Sequence, residues 1–310
     1  MVTIKDIAKE AGVTATTVSR PLNNEQGVNV NTRNKILQIA KDLNYIPNLA
    51  AKRLAVKTVN TIGVVWSKPK GLFFGSFCNE LTEQANERGY AVFVSFSDWE
   101  DAIQEMQKHL IDKIVLWSPL DKPSLNLVQA RESFHGNMLI IGSGEIDRTH
   151  FITIDRQQGI YDAVGYLHSQ GHRRVAFMGS NTEKLTGYTI GMLDYKMSYN
   201  STYIIHTPNH GLAFDDQALI DCLTADPSER PTAIILDMHG NVFRFIRAIR
   251  KLNLRIPEDI SLIVYDDVPE MTDIIEVPIT TVGPSLESLA AHTLDILSIE
   301  NKGETTEWSS

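Results

Sequence analysis

Cysteine is almost absent from this chain. Of 310 residues only Cys78 and Cys222 are cysteines, and their spacing matches no metal-ligand pair. That argues against a disulfide framework and a structural zinc site, and fits a reduced, cytoplasmic setting. Long apolar runs are also missing: no stretch approaches the ~18 consecutive apolar residues that a membrane helix requires. The N-terminus lacks the basic-then-apolar pattern of a secretory signal. Short-period repeats and low-complexity tracts are absent. So are a G-x-G-x-x-G after a strand, a P-loop, a G-x-S-x-G elbow and a cluster of metal-ligating side chains; the GSG at 142–144 lacks the third glycine. These absences argue against an enzyme on a doubly wound fold, and no cofactor or metal is implied.

What is present is unevenly distributed. Residues 1–57 carry nine basic side chains against four acidic ones, a net +5, whereas the whole chain is at −9, which leaves −14 on the rest. A basic module on an acidic body suits one end that meets a polyanion while the remainder stays off it. With 43% hydrophobic residues, a chain of this length has ample core for two or three domains. Within the basic module two short helical patterns meet across a turn at Gly12 and Val13. Thr3 caps the first, with Asp6 three residues on as a capping-box variant, and Ile4, Ile7, Ala8 and Ala11 form its apolar face. Gly12 suits the left-handed position that ends it, and Val13 plugs the turn. Thr14 caps the second helix, in which Val18 and Leu22 point inward while Ala15, Thr16, Thr17, Ser19 and Arg20 lie on or near the exposed face. A third helix, from about Thr32 to Leu43, buries Ile36, Ala40 and Leu43, and Tyr45 closes the small core. This is a helix-turn-helix, whose second helix fits the major groove of DNA. Small hydroxyl side chains and one Arg suit close approach to base edges and phosphates.

Thr3, Asp6, Ile7, Ala8, Ala11, Gly12, Val13, Thr14, Thr17, Val18, Ser19, Arg20, Leu22 and Asn23 together resemble the signature of the lactose-repressor (LacI/GalR) family of bacterial transcription regulators. Thr32, Arg33, Ile36, Leu43, Tyr45, Pro47, Asn48, Ala51 and Leu54 continue the match. The resemblance implies base-reading positions at Ala15, Thr16 and Arg20, and phosphate-positioning roles for Thr14, Thr17, Ser19, Asn23 and Tyr45. Thr14 and Thr17 also read as plain helix-start residues, and Asn23 as a helix-end residue. Pro21 departs from the pattern, where the family has a small or branched aliphatic residue. A proline there removes the bond to the Thr17 carbonyl at a cost of ~3 kcal/mol, so the helix is expected to kink near Thr17 or fray after Arg20. Pro47-Asn48 reads as the start of a helix of about two turns (about 47–56), too short to stand alone in water. The family resemblance implies a hinge helix that orders on DNA and pairs with its dimer mate, with Asn48 and Ala51 on it and Leu54 wedged into the minor groove. A plain linker with a buried Leu is the alternative.

From Thr61 apolar strands alternate with helices. TIGVVWS, AVFVSFS, KIVLWS, MLIIGS and FITID come first, and RRVAFMG, TYIIHT, TAIILD and SLIVYDD follow, with helices over Phe77–Arg88 and Gln158–Ser169. Such alternation gives parallel sheets with helices on both faces. The run is too long for one small sheet, so two doubly wound lobes around a cleft are expected. SQGHRRVAFMG, LRIPEDISLIVYDD and PITTV resemble the family's periplasmic-binding-protein-like body. The expected fold class is α/β: a three-helix head with a hinge helix over 1–57, then a two-lobed body over 58–310. Lobe one spans about 58–153 and 283–310, lobe two about 154–282. The tail NKGETTEWSS is polar, so the family's last strand is expected to be missing or truncated.

The resemblance places an effector between strand ends and an aromatic pair in the loop after the first strand, here Phe73 and Phe74. Asp155 and Asp266 are candidate acceptors for sugar hydroxyls, because a carboxylate takes two charge-assisted hydrogen bonds. Asp267 is expected to cap the helix that follows. Three positions depart from the family's pocket. Lys184 replaces an Arg before Gly187-Tyr188 and loses the bidentate fork; it either meets an acidic effector such as a sugar phosphate or is solvated. His239 and Gly240 replace an Asn-Asp pair, His239 being a neutral ligand group or a helix-start residue. Phe214 is the candidate for a third aromatic. The expected function is a cytoplasmic, homodimeric repressor that binds operator DNA under control of a carbohydrate effector, with no membrane partner. A sugar-uptake binding protein and a DNA-binding regulator with a degenerate pocket are the alternatives.

Overall fold

The computed structural model describes residues 2–22, 26–43, 45, 60–67, 69, 72–118, 124–142, 146–207, 216–299 and 307–309, the last three by backbone alone. The chain forms two compact units, Met1–Val59 and Asn60–Ser310.

The first unit contains α1 (Ile4–Ala11), α2 (Ala15–Leu22) and α3 (Val30–Asp42). Ile7, Val18 and Ile36, one from each helix, are fully buried at its centre, and Val13, Leu22, Leu43 and Tyr45 pack around them. Asp6 accepts from the Thr3 amide at 2.8 Å and its hydroxyl at 2.7 Å, which closes the N-terminal turn of α1. Gly12 ends α1 at φ 72°, and Lys35 Nζ donates to the Ala11 carbonyl at 3.1 Å, satisfying an end that the helix leaves open. α3 begins two residues before the sequence suggests, because Asn29 caps it by accepting from the Asn31 amide at 2.9 Å. The fraying expected after Arg20 does not occur: α2 runs through Pro21 to Leu22. Pro21 is buried, so packing of its ring offsets the hydrogen bond its missing N–H withholds in the last turn.

The second unit is built on two parallel sheets. The first has the order β11-β5-β4-β3-β1-β2: β1 (Thr61–Val65), β2 (Ala91–Ser95), β3 (Lys113–Ser118), β4 (Asn137–Gly142), β5 (His150–Thr153) and β11 (Glu307–Ser309). The second has the order β10-β9-β8-β6-β7: β6 (Val175–Gly179), β7 (Ile204–His206), β8 (Ala233–Leu236), β9 (Ser261–Tyr265) and β10 (Thr280–Val282). The last strand is therefore not missing but short: Glu307, Trp308 and Ser309 pair in parallel with Phe151, Ile152 and Thr153. A strand held by backbone bonds at a sheet edge needs no apolar run of its own, which is why a polar tail concealed it.

Helices α4 (Phe73–Glu87), α5 (Trp99–Lys108), α6 (Leu125–Ser133) and α12 (Leu286–Ser298) accompany the first sheet, and α7 (Arg156–Ser169), α8 (Thr182–Asp194), α9 (Gln217–Thr224), α10 (Val242–Lys251) and α11 (Pro269–Ile275) the second. One apolar cluster crosses from the first sheet and α4 (Val64, Leu139; Phe77) to the second sheet (Met178, Leu236, Val264). The two lobes thus share a core on one side, while separate clusters fill their other faces.

Candidate functional site

In the head, the helix start carries the polar surface. Thr14 Oγ1 accepts from the Thr17 amide at 3.2 Å and lies 2.8 Å from the Thr17 hydroxyl, so both threonines shape the first turn of α2. Ala15, Thr16 and Arg20 are exposed along it, Thr17 and Ser19 half-buried. The Arg20 guanidinium lies beside Gly27, which has φ +103°; a Cβ at Gly27 would stand 3.2 Å from Arg20 Nη1. Tyr45 is half-buried against the head's core. Asn23, Asn48, Ala51 and Leu54 lie outside the described residues.

In the body, the carboxyl ends of parallel strands gather the chemistry, as expected of open α/β sheets. From the first sheet comes an aromatic shelf. The Trp66 and Trp117 indoles stack at 4.1 Å with 4° between their planes, Phe74 meets Trp66 edge-on at 4.8 Å, and Phe96 lies 5.4 Å from Phe74. Phe73 and Phe74 are not in a loop, as expected, but form the first turn of α4. Phe73 is buried in the shared core and Phe74 only half-buried. The apolar packing of Phe73 and Phe77 extends the helix backwards over residues the sequence assigned to a turn.

The second sheet contributes charge. Lys184 on α8 is 6% exposed; its Nζ donates to the Asp237 carbonyl at 2.6 Å and rests 3.4 Å from the centre of the Tyr265 ring. Burial pushes this ammonium down to about 8, against the opposing pull of Asp266 and Asp237. Asp237, at the end of β8, accepts from the Ser180 and Asn181 amides at 2.8 and 3.2 Å and from Asn241 Nδ2 at 2.9 Å. Burial raises its carboxyl above the usual range despite Lys184 and these donors. Asp266 sits in left-handed backbone at φ 80°. Burial pushes its carboxyl up, but Lys184 and His239 outweigh that and hold it below the ordinary value. His239 is buried; its Nε2 accepts the Leu72 amide at 3.0 Å, so the ring proton resides on Nδ1, 3.6 Å from Asp266 Oδ2. Arg156, beside them, pairs with Glu183 at 3.4 Å.

Of the candidates from sequence, the structure therefore brings together Lys184, His239 and Asp266. Asp155 is exposed and caps α7 through the Gln158 amide at 2.8 Å. Asp267 does not cap α11, whose N-cap is Val268; it accepts instead from the Thr281 hydroxyl at 3.5 Å, because Pro269 takes the first helical position one residue later. Lys184 is neither solvated nor open, since the strand ends enclose it. Phe214 lies outside the described residues. Sequence reasoning missed Trp66, Trp117, Asp237, Asn241 and Tyr265. Asp237 carried a usable signal, an acidic residue directly after the apolar run of β8.

Residues 3–48 match the model of bacterial regulatory proteins of the lacI family, and residues 164–305 that of the periplasmic binding protein-like domain. The HTH-type transcriptional repressor PurR of Aliivibrio fischeri (strain MJ11) is 28% identical over 313 residues, covering 96% of this chain and 91% of the relative. That of Histophilus somni (strain 2336) is 28% identical over 327 residues, covering 99% and 95%. Among solved structures, the lac repressor bound to ONPG in its repressed state superposes with a TM-score of 0.78 at 22% identity, covering 99% of this chain and 97% of that one. The complex of the transcriptional regulator CelR with cellobiose gives 0.61 at 22% identity, covering 100% and 97%.

Proposed function

This chain belongs to the lacI family of bacterial regulatory proteins, DNA-binding transcription regulators rather than enzymes, and from that premise we propose that it represses transcription as a cytoplasmic homodimer on a near-palindromic operator, under control of a carbohydrate-type effector held between its lobes. One observation carries the DNA-binding part: the exposed row Ala15, Thr16 and Arg20 on α2, within the segment that matches the family's head. Small side chains let the helix approach the groove floor, and Arg is the side chain best suited to the paired acceptors of guanine. A two-fold protein needs a two-fold site. The family resemblance implies added minor-groove contact from Asn48, Ala51 and Leu54, which lie outside the described residues.

The stacked indoles at one set of strand ends and the carboxylate of Asp266 at the other support the effector part. Aromatic faces pack on the apolar faces of sugar rings, and a carboxylate accepts from paired hydroxyls. CelR, in its complex with cellobiose, holds a ligand of that class. One feature favours a second reading, a regulator whose pocket is closed by its own side chains: Lys184 is spent on the Asp237 carbonyl and the Tyr265 ring. A thermal-shift screen of neutral and phosphorylated sugars, followed by operator-binding assays with each hit, separates the two. The effector reading expects at least one sugar that stabilises the protein by several degrees and alters operator affinity. A screen in which nothing stabilises it leaves the closed-pocket reading standing.

A further inference from the structure

α4 begins without a cap of its own. The first N–H groups of any helix have no acceptor within the helix, and Ser, Thr, Asp or Asn normally supplies one from the N-cap position. Here the N-cap is Leu72, which has no side-chain oxygen to offer. Yet the Leu72 amide is satisfied, by His239 Nε2 at 3.0 Å, from 167 positions away and from the other lobe. One turn on, the Ser76 hydroxyl donates to Glu270 Oε2 at 2.9 Å, again across the lobes. This carboxylate lies at the positive end of the helix dipole, where negative charge is favoured. Asp266 Oδ2 lies 3.6 Å from His239 Nδ1, beyond hydrogen-bond reach, so Nδ1 has no hydrogen-bond partner among the described residues and it is the Leu72 N–H that identifies Nε2 as the accepting nitrogen.

We propose that lobe two caps α4 of lobe one, so that closure of the lobes and order in the first turn of α4 are a single event. His239 is the positioning residue and Glu270 supports it. The capped turn carries Phe73 and Phe74, which pack against Trp66 at 6.2 and 4.8 Å. Moving His239 away leaves the Leu72 donor unpaired and loosens that part of the aromatic shelf. A ligand that takes His239 Nε2 for one of its own donors has the same effect. Effector binding would thereby reach lobe one through a helix end as well as through the shared core. That consequence rests on the effector reading above; the cap itself does not.

Residue-resolved hydrogen–deuterium exchange on the full chain, without effector or DNA, tests the cap independently of that reading. The expected result is an amide at Leu72 that exchanges at least tenfold faster in His239→Ala than in the wild type, while Ile234–Leu236 of β8 keep wild-type protection. His239→Gln, whose side-chain oxygen can accept the same N–H, is expected to stay within threefold of the wild type. Equal exchange at Leu72 in the wild type and His239→Ala overturns the proposal. Should His239→Ala loosen β8 as well, His239→Gln decides: retained protection at Leu72 supports the cap, and loss of it refutes it.

Discussion

At the scale of single residues, the head and the cleft put their polar side chains to different uses. Thr14 and Thr17 are committed to the turn they start, which leaves Arg20 as the long exposed donor on α2. Losing one bidentate base contact costs about 1–3 kcal/mol. Arg20→Ala is therefore expected to weaken specific operator binding roughly 5- to 150-fold, with a smaller loss on random duplex; competition titrations give both numbers. In the body, the depressed Lys184 ammonium makes a pH prediction. Its folded value is about 8, whereas an unfolded lysine sits near 10.4. Between those values the unfolded chain holds a proton that the folded one has released, so stability rises with pH across that window, by on the order of 3 kcal/mol. Below pH 8 the full cost of burying the charge stands. Urea unfolding at pH 7.5 and 9.5 is expected to show about 2 kcal/mol of this gain in the wild type relative to Lys184→Met; parallel behaviour of the two would contradict it. The individual residues were only partly legible. Lys184, His239 and Asp266 stand out because the resemblance marks their positions. Trp66, Trp117 and Tyr265 do not, because their roles exist only once strands distant in sequence lie side by side.

At the scale of elements, periodicity was a good guide wherever a segment buries its own apolar face. The faces of α1 and α3 (Ile7, Ala8, Ala11; Ile36, Ala40) and the apolar strands of both sheets follow directly from the pattern. It failed where a neighbour decides the outcome. α4 starts at Phe73 because the shared core and the opposite lobe accept its first turn. β11 exists because β5 offers it a ladder. α2 continues past Arg20 because the Pro21 ring is buried. That last case yields a prediction at the same scale. Pro21→Val restores an N–H able to bond the Thr17 carbonyl and lowers the conformational cost of the helix. It is expected to raise the melting temperature of the head and to alter operator affinity or preference. If melting, affinity and preference all stay at wild-type values, Pro21 has no bearing on the recognition helix.

At the scale of the whole molecule, the +5 of residues 1–57 against −14 on the remainder sorts the chain into a part that seeks a polyanion and a part that avoids one. Affinity for duplex DNA should accordingly fall steeply with salt, as each neutralised phosphate releases counterion. Two parallel sheets joined by one apolar cluster give the body a side that holds together and a side where strand ends meet. The parallel-sheet layout of the body was readable from strand–helix alternation; which strand-end groups face one another was not. The most direct test of the account is selection of binding sites from a random duplex library by the intact protein, with Arg20→Ala alongside. Enrichment of a near-palindromic pair of half-sites by the wild type, lost or blurred at one base position in the variant, is the predicted result. No enrichment of any duplex over random competitor, even at low ionic strength, would contradict it.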